Sequence, residues 1–168
     1  MGKLEGKVAL ITGGNRGIGK AIARLFASEG AALTLAARGK ESLEETADQI
    51  KRDFGVTVVA VSADVSKENA VEVLFERSKL KHGKLDILVN NAGAFDGGPI
   101  EKIDLEAWNN VVGSCMTGTF LATREAFRLM KQGNGGRILN IGSISAQMPR
   151  KYSVPYTAAK HGIWGLTK

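Results

Sequence analysis

Tyr156 and Lys160 are four positions apart in a segment of helical periodicity, so their side chains share one face of the predicted helix. A free phenol has a pKa of about 10, which is too high for a base near neutral pH. An adjacent ammonium favours the phenolate and lowers that pKa. The pair therefore predicts a site at which Tyr156 gives or takes a proton, although the Tyr-x3-Lys spacing alone is a weak motif.

Ser143 follows a short apolar run and precedes Tyr156 by thirteen residues. Its hydroxyl can hydrogen-bond a substrate oxygen as negative charge develops there. The alternative is that Ser143 and its neighbour Ser145 are ordinary turn residues. Tyr152 lacks a lysine partner, because Tyr156 stands four positions later.

A glycine-rich segment, residues 12–19, directly follows the first apolar run and opens the first predicted helix. Glycine permits positive φ at such a turn and lets the backbone approach a pyrophosphate, while the free N–H groups and dipole of the helix attract its charge. The spacing is Gly-x3-Gly-x-Gly rather than Gly-x-Gly-x-x-Gly, so an ordinary glycine-rich turn is the alternative. The segment predicts a dinucleotide site formed by Gly13, Asn15, Arg16, Gly17, Ile18 and Gly19.

The end of the second apolar run bears on which dinucleotide is bound. An acidic residue about 20 positions past the glycines would bond the ribose 2′-hydroxyl of NAD, whereas an arginine accepts the 2′-phosphate of NADP. Arg38 stands there, and Arg16 adds a second cation inside the turn. We therefore expect NADP(H) to be preferred and NAD(H) to be the alternative, unless both arginines are solvated surface residues.

Short apolar runs alternate with longer helical segments along the chain. The predicted strands are residues 8–12, 32–37, 56–61, 86–89 and 137–141. The predicted helices are residues 17–29, 41–54, about 67–81, about 105–131, and one that begins near Ser153. Nearly continuous Val/Ile/Leu strands are buried on both faces, so we expect an α/β fold: a Rossmann-type doubly wound parallel sheet with ligands beyond the carboxyl ends of its strands.

Several residues are predicted to mark helix ends. Ser66 and Asp104 are candidate N-caps, and Pro155 suits a first helical turn. The last helical stripe runs to Lys168 with no capping Gly or Asn after it, which predicts a chain cut off inside or just after a helix. The length of 168 residues predicts a single NAD(P)-binding domain over residues 1–168.

These residues together resemble the short-chain dehydrogenase/reductase family over essentially the whole chain. The matching motifs are Thr12-Gly13-x3-Gly17-Ile18-Gly19, Asp64-Val65, Asn90-Asn91-Ala92-Gly93, Ser143 and Tyr156-x3-Lys160. Five motifs in this order make coincidence implausible.

The resemblance implies an NAD(P)-dependent oxidoreductase that transfers a hydride between nicotinamide and a carbonyl or secondary alcohol. It implies that Asp64 and Val65 flank the adenine and that Asn90, Asn91, Ala92 and Gly93 lie along the cofactor. Tyr156 would be the acid or base, Lys160 would also hold the nicotinamide ribose, and Ser143 would steady the substrate oxygen. The resemblance further implies a homodimer or homotetramer formed through the long helix and the tyrosine helix.

Two departures from the family pattern bear on activity. Cys115 stands where the family has an asparagine that helps to hold a water in a proton relay, and a thiol is a poor substitute for an amide. We expect weakened rather than abolished activity, with Cys115 a small buried apolar residue rather than a reactive thiol. The family's closing strand, substrate segment and final helix and strand do not follow, which predicts lost stability and little turnover if the polypeptide is complete. If it is a fragment of a longer gene product, the enzyme interpretation stands. The rival hypothesis is a cofactor-binding but inactive regulatory or interaction protein.

Composition limits the other classes of function. The net charge of +6 comes from basic residues mixed with acids, and only ten aromatic residues occur, so we expect no nucleic-acid partner. The single cysteine, Cys115, excludes an intrachain disulfide and fits a reducing compartment. No signal-peptide core or apolar stretch of about 18 residues occurs, so we expect a cytoplasmic protein with no membrane partner. No metal site is predicted.

Overall fold

The computed structural model describes residues 2–168, and its sheet contains five strands that all run parallel. The strands are β1 (Val8–Thr12), β2 (Ala32–Ala37), β3 (Val58–Ser62), β4 (Ile87–Asn90) and β5 (Arg137–Asn140). Their spatial order is β3-β2-β1-β4-β5. The chain therefore winds outward from β1 in one direction and then crosses to β4, which confirms the predicted doubly wound sheet.

Helices connect successive strands as predicted, with one interruption. They are α1 (Gly17–Ser28), α2 (Lys40–Phe54), α3 (Glu68–His82), α4 (Leu105–Val112), α5 (Gly118–Lys131) and α6 (Val154–Thr167). The predicted long helix over residues 105–131 has the predicted bounds, but it is not α-helical throughout, because a π-helical turn, Gly113–Thr117, separates α4 from α5. Single π-turns inside helices are frequent at functional sites.

The two faces of the sheet are covered by different helices. Leu10 and Leu88 pack with Leu74 of α3 and Leu121 of α5 on one face. Neighbouring strand residues point the other way and pack with α1 and α2, as Ile11 does in the second cluster. Every residue of β1 is buried, as expected for the central strand of a sheet covered on both sides.

The helix ends show which local predictions were right. Asp104 caps α4, with its carboxylate accepting the Ala107 N–H at 2.7 Å, and Pro155 lies in the first turn of α6. The N-cap prediction for Ser66 is wrong. Its N–H and hydroxyl both donate to the Asp64 carboxylate. Helix α3 begins at Glu68, so its N-cap residue is Lys67, which makes no side-chain capping bond.

The order of the strands leaves a crevice at the carboxyl ends of β1 and β4, where the two halves of the sheet diverge. Residues 13–19 and 91–94 follow these two strands directly. Because β5 is parallel to β4, the segment after β5 begins at the same edge of the sheet. None of the helices in residues 2–168 has the length and apolar character needed to cross a membrane.

Candidate active site

The glycine turn after β1 needs glycine for two separate reasons. Gly13 and Gly17 have φ values of +65° and +52°, a region that side-chain-bearing residues rarely adopt. Gly19 is buried, and a Cβ there would collide with the Gly13 carbonyl oxygen. The turn therefore has the backbone shape that the sequence predicted.

Thr12 and Asn91 fasten this turn to the segment after β4. The Thr12 hydroxyl oxygen accepts the N–H groups of Asn91 and Ala92 at 3.1 and 3.0 Å. The Asn91 side-chain amide donates in return to the carbonyl oxygens of Thr12 and Gly13, at 3.0 and 3.1 Å. The two chain segments that border the crevice thus form one hydrogen-bonded unit.

A cavity of about 270 Å³ lies at this crevice, where the dinucleotide was predicted. Most of the predicted cofactor-binding residues border it, namely Gly13, Asn15, Arg16, Gly17, Ile18, Arg38, Asp64, Val65, Asn91, Ala92 and Gly93. Four of them do not, namely Gly19, Asn90, Tyr156 and Lys160. Gly19 lies beneath the turn, and Asn90 is buried, where its amide donates to Thr123 and Asn140 at 3.0 and 2.8 Å.

The cavity suits an anionic dinucleotide. The first N–H groups of α1 lack intrahelical acceptors, and the helix's N-cap residue, Arg16, makes no side-chain capping bond, so the helix end is open to an anion. Arg16 and Arg38 supply two cations at the border. The residues present therefore fit the predicted cofactor.

Arg38 follows β2 directly and is exposed. Its carbonyl oxygen accepts the Ser62 hydroxyl at 3.1 Å, which fixes its backbone beside the end of β3. Asp64 lies nearby on the same cavity. Burial works to raise the pKa of Asp64, but hydrogen bonds from Ser66 and the charges of Arg38 and Lys67 outweigh it and lower that pKa. Asp64 therefore stays ionised at neutral pH.

Tyr156 and Lys160 do share one face of α6, and Lys160 Nζ lies 5.5 Å from the centroid of the Tyr156 ring. Lys160 is only 5% exposed, and its ammonium donates to the Ile141 carbonyl oxygen at 2.6 Å. Burial is the main cause that lowers the pKa of Lys160. The arrangement places a desolvated cation beside the phenol ring.

Ser143 lies on the same side of the molecule and borders a cavity of about 400 Å³ together with Lys160. Its oxygen accepts the Ser145 N–H at 3.1 Å and so caps a short 3₁₀ turn, Ile144–Ala146. That contact uses the hydroxyl as an acceptor, so its hydrogen is available to another oxygen. A turn role and a substrate-contacting role for Ser143 are therefore compatible.

Cys115 occupies the π-helical turn and is fully buried. Its sulfur lies 3.4 Å from the Ala94 carbonyl oxygen, and its own carbonyl accepts the Thr119 hydroxyl at 2.6 Å. The side chain packs with Val111, Ala159 and Ile163. It has the environment of a small buried apolar residue, as predicted.

Three residues of the site were not predicted from the sequence as contacts. Thr12 could have been identified from the sequence, since it is a polar residue at the end of an apolar strand. Phe95 packs on Tyr156, and Ser114 borders the cofactor cavity, where its oxygen accepts the Ala94 N–H at 3.1 Å. Nothing in the local sequence shows that Phe95 contacts Tyr156 or that Ser114 borders the cofactor cavity.

A larger cavity, of about 720 Å³, lies at the opposite end of the sheet. Lys7, Asp86 and Arg137 border it near the amino ends of β1, β4 and β5, and no candidate site residue does. Ligands of open α/β sheets bind at the carboxyl ends of the strands. The cavity of about 270 Å³ is therefore the candidate cofactor site.

Comparison with known proteins gives the class of this protein. The family model described as short chain dehydrogenase matches residues 7–168. Glucose 1-dehydrogenase 2 of Bacillus subtilis (strain 168) is 38% identical over 98% of this chain. Short chain dehydrogenase/reductase astE of Aspergillus oryzae is 35% identical, also over 98% of it. The chain belongs to the short-chain dehydrogenase/reductase family.

A crystal structure described as "a putative short-chain alcohol dehydrogenase" from Sinorhizobium meliloti 1021 has the same fold, with a TM-score of 0.93 and 37% identity over 98% of this chain. This chain covers 65% of that structure's chain. It likewise spans 65% and 64% of the length of the two curated relatives.

Proposed function

We propose that this chain carries the cofactor-binding and proton-transfer residues of an NADP(H)-dependent oxidoreductase acting on carbonyls or secondary alcohols. One observation carries the proposal: the buried Lys160 ammonium lies 5.5 Å from the Tyr156 ring centroid, in a molecule whose glycine turn and adjoining cavity suit a dinucleotide. The family's oxidoreductases, glucose 1-dehydrogenase 2 among the relatives, support it. We further propose that residues 1–168 form one domain.

Each site residue has one task. Tyr156 exchanges a proton with the substrate oxygen, and the Lys160 cation stabilises the phenolate form by its charge. Ser143 donates its free hydroxyl hydrogen to the same oxygen. When bound, NADP(H) supplies the hydride acceptor or donor, so that two electrons leave or reach the substrate carbon as the oxygen exchanges its proton.

NADP(H) is proposed over NAD(H) because of the charges at the end of β2. Arg38 and Arg16 border the cavity, and β2 ends in Ala36-Ala37, followed by Arg38, without a carboxylate that would repel a phosphate. A guanidinium can bind a phosphate through two parallel hydrogen bonds. Lys160 is also proposed to hold the nicotinamide ribose.

The activity test compares the only two tyrosines in these 168 residues. Oxidation of NADPH is followed by absorbance against a panel of ketones, in the full-length protein. Tyr156→Phe removes the proposed acid and is expected to lower kcat at least about 100-fold. Tyr152→Phe removes the same hydroxyl from an exposed side chain and is expected to keep most of the activity. Equal activity of the two variants would refute the role of Tyr156.

The cofactor test measures the Kd of NADPH and NADH for Arg38→Asp. The preference for NADPH is expected to fall by about 10- to 100-fold, because the variant loses a charge-assisted contact and gains a repelling charge. Lys40→Asp is the matched control, since it makes the same charge change two residues away and Lys40 does not border the cavity. An equal effect of the two variants would point to general charge rather than to Arg38.

The rival function, a protein that binds the cofactor without turnover, is favoured by Cys115 at the family's asparagine position. NADPH binding without reduction of any ketone, in the parent protein and in Cys115→Asn, would support it. We further propose assembly into a homodimer or homotetramer, supported by Phe120 and Phe127 on α5 and Leu166 on α6, which are 46%, 64% and 40% exposed. Analytical ultracentrifugation tests the assembly.

A further inference from the structure

Phe95 lies against Tyr156 in an edge-to-face arrangement. The ring centroids are 5.4 Å apart and the planes are inclined by 66°. Such aromatic pairs have a preferred geometry, because the positive edge of one ring meets the negative face of the other. Tyr156 also packs against the buried cluster that contains Cys115 and Ala159. The phenol ring is thus held between the core and a residue that is itself 64% exposed.

The residue before Phe95 is fixed to the π-helical turn. The Ala94 N–H donates to the Ser114 hydroxyl oxygen at 3.1 Å, and the Ala94 carbonyl oxygen lies 3.4 Å from the Cys115 sulfur. Two consecutive residues of the turn therefore hold both backbone groups of Ala94. This attachment sets the start of the segment on which Phe95 lies.

Gly97 fixes the chain segment that follows Phe95. A Cβ on Gly97 would collide with the carbonyl oxygen of Tyr152, so the two backbones touch at a point where only glycine fits. Tyr152 has a φ of +62°, the one positive φ of a non-glycine residue in residues 2–168. The neighbouring Gly98 differs, because a Cβ there would have no atom within 4 Å.

We propose that Phe95 is a positioning residue that holds the ring of Tyr156, and that the missing side chain of Gly97 sets where Phe95 lies. This inference rests on the proposed function, in which the Tyr156 hydroxyl exchanges a proton with the substrate oxygen. The position of that hydroxyl depends on how the ring is held. Without Phe95, the Tyr156 ring would keep its contact with the cluster that contains Cys115 and would lose its edge-to-face contact. Phe95 does not itself exchange protons.

The structural arm of the test uses ¹⁹F NMR of the full-length protein labelled with 3-fluorotyrosine. The Tyr156 resonance is assigned by its loss in Tyr156→Phe. Phe95→Leu removes the ring but keeps an apolar side chain, and is expected to shift that resonance, while Phe95→Trp is expected to restore part of the shift. Gly97→Ala is expected to shift it too, and Gly98→Ala to leave it in place. An unmoved resonance in Phe95→Leu, or equal spectra for Gly97→Ala and Gly98→Ala, would overturn the proposal.

The kinetic arm separates this inference from the proposed function. Phe95→Leu is expected to lower kcat about three- to tenfold, with the KM for NADPH changed less than about twofold, and Phe95→Trp to recover part of kcat. A shifted resonance with unchanged kcat overturns the positioning role. A protein without any turnover would refute the proposed function, and the NMR arm would still decide the contact. If Gly97→Ala does not fold, Phe95→Leu and Phe95→Trp carry the test.

Discussion

Thr12→Val should destabilise the protein more than Thr12→Ser, although valine is the closer match in shape to threonine. Thr12 is only 2% exposed, and its hydroxyl oxygen accepts two backbone N–H groups, from Asn91 and Ala92. Valine puts a methyl group in place of that oxygen and leaves both donors without a partner. Serine keeps the oxygen and loses only a methyl group.

The magnitude follows from these contacts. Each buried donor left unsatisfied costs about 1–3 kcal/mol, and because both donors here are partly buried we take about 1–2 kcal/mol for each. The extra buried methyl offsets less than about 1 kcal/mol. Thr12→Val is therefore expected to lose about 2–3 kcal/mol, against about 1 kcal/mol or less for Thr12→Ser.

Two measurements check this prediction. Urea unfolding of the parent and both variants gives the difference in free energy of unfolding. Amide hydrogen exchange then reports the donors directly, with the Asn91 and Ala92 amides losing protection in Thr12→Val and keeping it in Thr12→Ser. The reasoning is refuted if Thr12→Val proves as stable as Thr12→Ser, or if its two amides stay protected.

Three further predictions concern charges and helix ends. Burial works to raise the pKa of Asp86, but the Val8 N–H at 2.8 Å and the Lys84 and Lys7 ammonium groups lower it below the ordinary 3.8. The stabilisation is thus present above about pH 4 and lost as pH falls through the folded-state pKa, so Asp86→Asn should cost about 1 kcal/mol at pH 7 and progressively less as the pH falls below about 4 in urea titrations. Asp104→Ala removes the cap of α4 and should cost about 1 kcal/mol, with Asp104→Asn close to the parent in the same assay. Because burial lowers the pKa of Lys160, its cation is lost as pH rises through a value below the ordinary 10.5, and the alkaline limb of a kcat–pH profile should fall there; a profile flat to pH 10.5 would contradict this.

The fold was predictable because each element carries its own signal. Strands buried on both faces appear as unbroken apolar runs, and residues 8–12 and 32–37 have the bounds predicted for them. The start of β3 was placed two residues early, at Val56, because valine extends the apolar run whether or not it pairs. Asp104 was predictable as a cap because a cap acts on its own helix.

The π-helical turn was not predictable in this way. Gly113 and Gly118 continue the helical period, and no local residue requires the extra length of the turn. The structure instead shows close approaches to another segment: a Cβ on Gly113 would lie 3.2 Å from Ser66, and one on Gly118 would lie 2.7 Å from Val65. These contacts join residues about 50 positions apart, so they depend on the assembled fold. The failed cap prediction for Ser66 has a local origin instead, since Asp64, two residues earlier, accepts both of its donors.

The candidate site also contains a part that was predictable from local sequence and a part that was not. The Tyr156 and Lys160 pair was predictable because one helix positions both. The contacts that set their surroundings, from Thr12 to Asn91 and from Phe95 to Tyr156, link residues more than 60 positions apart and follow only from the order of the strands.

Lys160 shows why the fold and the chemistry of this site are difficult to separate by mutation. Its ammonium donates to the Ile141 carbonyl oxygen at 2.6 Å, directly after β5, so the proposed electrostatic partner of Tyr156 also ties α6 to the sheet. A second tie lies at the end of α6, where Asn140 donates to the Thr167 hydroxyl at 3.0 Å. Replacing Lys160 would therefore remove a charge and loosen a helix in one step. Tyr156→Phe removes only a hydroxyl and keeps the ring contacts, which makes it the variant whose loss of activity can be assigned to proton transfer.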